Sequence, residues 1–109
     1  MIAGRTLTLG KPDGEIQIPI RIFAPASKGG AWCCRYEIDW PEGSLVKEAE
    51  GIDSVQALLH AMQMVGFHIY HSDHHDSGAL WLSPGRKGYY FPVVAEMRNM
   101  LVGEDVGFL

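Results

Sequence analysis

Gly51-Ile52-Asp53-Ser54-Val55-Gln56-Ala57-Leu58 is the stretch on which the fold turns. Asp53 is placed to cap the free amides of a first helical turn, and Gln56, three residues on, can reach back across it. From there Val55, Leu58, Leu59, Met62, Val65 and Ile69 recur at helical spacing as one narrow apolar stripe, which predicts a single main helix lying over a sheet. Gly66 falls on that stripe and is expected to permit close contact between helix and sheet rather than to end the helix.

Upstream, the period is two. Ile16, Ile18, Ile20 and Ile22 share one face of a strand while Gln17, Pro19, Arg21 and Phe23 share the other. Pro19 has no backbone donor, so this strand should have an edge or a bulge there. Arg5 to Leu9 reads as a first strand, joined to the second through the turn Lys11-Pro12-Asp13-Gly14. Trp32, Cys34, Tyr36 and Ile38 alternate with Cys33, Arg35, Glu37 and Asp39 in a third strand, stopped by Trp40-Pro41-Glu42-Gly43. Ser44 to Glu50 is polar and weakly patterned, either a short strand or an irregular connection. Downstream of the helix, Ala79 to Ser83 reads as a fourth strand and Tyr89 to Phe91 as an extension or a fifth. Pro92 then suits the first turn of a short terminal helix carrying Val93, Val94, Met97, Met100 and Leu101. The predicted fold is α+β: a two-layer, mainly antiparallel sheet of four or five strands, in the order β-β-β-α-β-(β)-α, packed by one main helix.

A chain of 109 residues is the size of one domain, spanning 1–109, and its 47% hydrophobic and 20% charged residues are globular composition. With a net charge of −4 and Lys and Arg scattered, no basic stripe could neutralise a run of phosphates, so no direct nucleic-acid partner is expected. Six carboxylates between Glu37 and Asp53 face only Lys47, as on a solvated acidic edge. The start of the chain lacks the pattern of a secretory signal, and no apolar run reaches membrane-spanning length; a cytoplasmic protein without membrane association is expected. Cys33 and Cys34 are adjacent in a strand and point to opposite faces, so they should not bridge; Cys34 belongs in the core and Cys33 outside.

Reactive side chains concentrate in one place. His68-Ile69-Tyr70-His71-Ser72-Asp73-His74-His75-Asp76 gathers four of the five histidines at the expected end of the helix. Zinc, or another divalent metal, would draw its three or four ligands from His68, His71, Asp73, His74, His75 and Asp76. The alternative is a polar helix end, where imidazoles favour the negative pole of the helix dipole. Neither His-Glu-x-x-His nor Cys-x-x-Cys occurs, no nucleophile-elbow pattern surrounds Ser72 or Ser77, and Gly85-Arg86-Lys87-Gly88 reads as a basic turn. Phe67, Trp40 and Trp81 fall off the predicted core faces, either packed under the terminal helix or exposed as an apolar interface.

The succession Arg5-Thr6-Leu7, the Ile-rich second strand, Trp32-Cys-Cys-Arg-Tyr36 and above all Gly51 to Leu58 resembles a family of short bacterial proteins carrying a domain of unknown function. That resemblance implies a fold and no activity. Tyr36 through Pro41 with Gly51 to Ala61 is more loosely similar to the strand-loop-helix unit of HicB-type antitoxins, although this chain lacks the DNA-binding extension such antitoxins often carry. Two functions stay open: a small protein-binding module of the immunity or antitoxin kind, acting as a homodimer through Phe67, Trp81 and Trp40, or a metal-binding protein or metal-dependent enzyme using the histidine cluster. Binding is expected before catalysis, and no cofactor beyond a divalent metal is implied.

Overall fold

A computed structural model describes residues 1–108 and shows an antiparallel sheet with one main helix on one face. The strands are β1 (Ala3–Lys11), β2 (Gly14–Ile22), β3 (Ala26–Lys28), β4 (Ala31–Trp40) and β5 (Gly43–Gly51), followed by helix α1 (Ser54–Tyr70), the single turn α2 (Asp73–Asp76), β6 (Leu80–Trp81), a 3-10 helix (Ala95–Met100) and α3 (Asp105–Phe108). Strand β4 is the hinge of the sheet: one of its edges pairs with β2 and β3, the other with β5 along its whole length. β1 continues the sheet beyond β2 and carries β6 at its far edge.

Each strand contributes its predicted inner face except at Ile16, which is exposed near the hairpin end of β2. Leu7, Leu9, Ile18, Ile20, Ile22, Cys34, Tyr36 and Ile38 are buried, Cys33 is half-buried on the other side, and neither cysteine is bridged. β2 pairs with β4 only from Ile20 onward, so Pro19 sits where that edge of β2 has no ladder partner, as its missing N–H requires. The register shifts by one residue between Ile22↔Tyr36 and Ala26↔Cys33, a bulge that falls at 23–25.

The outer face of the sheet needs no second layer, because its alternate residues pair with one another. Arg21 donates to Glu37 at 2.9 Å and to Asp39 at 2.7 Å, Ser44 donates to Asp39, and Arg35 lies 4.0 Å over the Phe23 ring. The Arg21 guanidinium, helped by the Ser44 hydroxyl, holds the Asp39 carboxyl below its ordinary range.

Helix α1 begins as read. Asp53 accepts from Gln56 N, and the Gln56 side chain accepts from Ile52 N, both at 2.8 Å. Its orientation differs from the predicted stripe. Ala57, Ala61, Val65 and Ile69, four apart, face the sheet, whereas Val55 is 74% exposed and Leu59 42%. The alanines win because small side chains let the helix lie close on β4 and β5, while Leu58 and Met62 pack at its flank. Gly66 does continue the helix and does serve close packing, but toward the C-terminal segment: a Cβ there would run into the Pro92 carbonyl.

Elsewhere one open alternative is decided and two expectations change. Ser44 to Glu50 belongs to a full nine-residue strand; the strand at 79–83 pairs only at Leu80–Trp81; and 89–91 is irregular, with the terminal helix a 3-10 turn at 95–100. Trp40, placed off the core by sequence, lies on the inner face, half-buried and packed against the core.

Candidate functional site

The histidine cluster is compact in sequence and dispersed in space. His68 shares a hydrogen bond with the Tyr36 hydroxyl at 3.1 Å beneath the helix, where burial lowers its pKa and Lys47 and His71 lower it further. His71 is exposed and donates to Phe67 O at 3.0 Å. His74 stacks on Trp40 with ring centres 5.2 Å apart and meets Glu42 at 2.9 Å, an interaction that lowers the Glu42 pKa. His75 shares a 2.5 Å hydrogen bond with the Tyr89 hydroxyl, and burial lowers its pKa too. Ser72 caps α2 and turns the chain between these residues, leaving Asp73 and Asp76 exposed. Among the described residues no group of three or more His, Cys, Asp or Glu stands where it could hold a metal ion. Of the three aromatics named above, Phe67 is 37% exposed at the helix end, while Trp40 and Trp81 are half-buried, Trp81 beside Gly10.

A second polar centre was not visible as a motif because its members lie far apart in sequence. Asp105 is fully buried and accepts from the Tyr70 hydroxyl at 2.6 Å and from the amides of Tyr89 and Tyr90 at 2.8 Å each. Arg5 grips the opposite side of the same two residues, donating to the carbonyls of Tyr89 and Tyr90 at 2.9 and 2.7 Å. Tyr90 is held at φ 58°, uncommon for a non-glycine residue, and its hydroxyl meets Glu104. Burial, with the Asp105 charge beside it, pushes the Tyr89 hydroxyl up to about 12, so at neutral pH it stays an uncharged phenol beside His75. This clip fastens the first strand, the helix end and the tail. Every buried side-chain polar atom among the described residues has a hydrogen-bond partner, so the clip is satisfied within the chain.

The strand edges supply the remaining polar groups. In an antiparallel ladder, a residue's N–H and C=O point to the same side, alternating along the strand. Phe23 N donates to Arg35 O at 2.9 Å, so Arg35 and its alternate neighbours face β2 and β3, and their partners Glu50, Glu48, Val46 and Ser44 turn their backbone groups away from β4. The His60 side chain confirms the parity by donating to Glu50 O at 2.7 Å from outside the ladder. Ser44, Val46 and Glu48 thereby present three N–H and three C=O groups along an edge that no strand of the described residues occupies. Beside it, between β5 and α1, runs a groove of about 460 Å³ lined by Tyr36, Lys47, Ala49, His60, Gln63 and Met64, among others. This edge leaves little trace in the residue pattern: Leu45 and Ala49 are its only inward apolar residues, too few to register as alternation.

The profile of a family described as a domain of unknown function, DUF6968, matches residues 3–93, a span that ends before Asp105. No curated protein and no solved structure matches the chain.

Proposed function

The chain belongs to the DUF6968 family of domains of unknown function, and from the geometry of its sheet we propose that it is an interaction module that docks an extended protein segment along β5. The observation that carries this reading is the open edge at Ser44, Val46 and Glu48. A docked strand gains main-chain hydrogen bonds from such an edge and selectivity from the pockets that receive its alternate side chains. Here the adjoining groove receives one set of side chains next to Lys47, and the outer face receives the other next to Val46, which is 55% exposed. Acting by docking on another protein is the mode of immunity proteins and antitoxins, and it requires no catalytic group.

The test is a peptide-display selection on the immobilised protein, repeated on a Val46→Pro variant. Pro at 46 removes one of the three outward N–H donors and leaves the ladder to β4 intact, because that residue does not bond to β4. Peptides selected on the wild type should lose binding to Val46→Pro. Peptides that bind both proteins equally, or no enrichment, would contradict the reading.

A further inference from the structure

We infer that the segment docked on β5 is β5 of a second copy of the chain, paired antiparallel about a two-fold axis through Val46. The inference rests on the edge-docking reading above and adds the partner and the register.

Symmetry and parity leave few ways to pair this strand with itself. A two-fold axis relating neighbouring antiparallel strands stands perpendicular to the sheet, so residues directly opposite share a face and the outward-bonding residues must meet one another. Centred on Lys47, the pairing sets the two Lys47 side chains directly opposite; centred on Glu48, it does the same to Glu48, and like charges in those positions destabilise a sheet. Either register also brings in Glu50, whose carbonyl is already taken by His60. Centred on Leu45, only Ser44 and Val46 find each other, and Glu48 runs past the end of the strand opposite the turn.

Centred on Val46, all three outward residues are used. Ser44 meets Glu48 of the second copy, Val46 meets Val46, and Glu48 meets Ser44, with Leu45 opposite Lys47 on the helix side. From Ser44 to Glu48 no like charges stand opposite, and Glu50 falls beyond the paired stretch, level with Glu42 in the turn of the second copy. The most exposed apolar side chain of β5 gains its own counterpart, and each Glu48 keeps the Lys28 that already pairs with it at 3.2 Å. Charged residues on an edge strand ordinarily guard against pairing. On β5 they reject the neighbouring registers and tolerate this one, as is required of an edge that must pair in a single way. The contact is small, so the dimer should be a reversible one.

Disulfide trapping reads the register directly. Hydrogen-bonded antiparallel partners have Cα atoms about 5.5 Å apart, within the range a disulfide spans. In a Cys33→Ser background, Val46→Cys should form a disulfide-linked dimer on mild oxidation, and an equimolar mixture of Ser44→Cys and Glu48→Cys should give the mixed dimer. Ser44→Cys alone should not cross-link, because its counterpart lies roughly 13 Å away along the strand. Failure of Val46→Cys to link, equal linking by Ser44→Cys alone, or a wild-type chain that sediments as a monomer up to millimolar concentration would overturn the inference. A monomer that still selects Val46-dependent display peptides would retire the second copy and leave the docking edge standing; loss of both would retire both.

Discussion

The two edges of the sheet are treated in opposite ways. At the β1 edge, β6 closes the ladder at Thr8 and Leu9, Gly10 N donates to Ala79 O, and the Asp105–Arg5 clip holds the following segment against the same strand. At the β5 edge, nine residues of regular strand face outward, and among the described residues only the Glu50 carbonyl is taken. Free edges invite unwanted pairing, and folded proteins blunt them or use them. Asp105, a fully buried carboxylate, fastens one side, and the other side is left open, which is what the docking proposal builds on.

Substitutions should separate the two sides by size of effect. Asp105→Ala strands three donors, two of them buried, and should cost about 3 kcal/mol or more in denaturant unfolding, while Glu48→Ala on the open edge should stay within about 0.5 kcal/mol. Equal midpoints for the two variants would break the contrast. Tyr70→Phe removes one of the three donors to Asp105 and the acceptor for Val102 N, so a loss of about 1 to 2 kcal/mol is expected.

A pH series probes the histidines that connect the closed side to the helix. His68 and His75 both titrate lower in the fold than in the unfolded chain, mainly through burial. As pH falls past about 6.5 the unfolded chain therefore takes up protons first, and stability declines toward pH 5. The thermal midpoint should drop over that window, less so in His75→Gln; a flat profile in the wild type would show that neither ring is held neutral. The smallest effect is expected from zinc. With His68, His71, His74 and His75 each bonded to a different partner, zinc should shift the thermal midpoint of neither the wild type nor a His71→Ala, His75→Ala double variant, whereas stabilisation of the wild type alone would revive the cluster as a metal site.

Much of the scaffold was legible in the chain. The Ile16 to Ile22 alternation, the Trp32 to Ile38 strand and the Asp53–Gln56 cap each carry a strong local signal, and the α+β sheet with one main helix follows from them. The helix face was misjudged at Val55 and Leu59 because residue size and periodicity report where apolar groups recur, not how closely a helix of alanines can lie on a sheet. Strand β5 was obscure for a related reason: most of its residues are solvated, so pairing with β4, rather than a hydrophobic pattern, makes it a strand. The histidine run drew the eye through proximity in sequence, which a helix end and the turn at Ser72 undo. Asp105, Tyr70, Tyr89 and Arg5 could not be linked beforehand, since only the folded chain brings positions 5, 70, 89 and 105 together.

Residue-resolved amide hydrogen exchange, measured on dilute and concentrated wild-type protein, tests the open edge most directly. The amides of Leu45, Lys47 and Ala49 bond to β4 and should be protected in both samples, whereas those of Ser44, Val46 and Glu48 should exchange fast when dilute and become protected when concentrated. Exchange at Ser44, Val46 and Glu48 that is fast at every concentration would contradict self-pairing of β5, and uniform protection even in the dilute sample would show that the edge is not open.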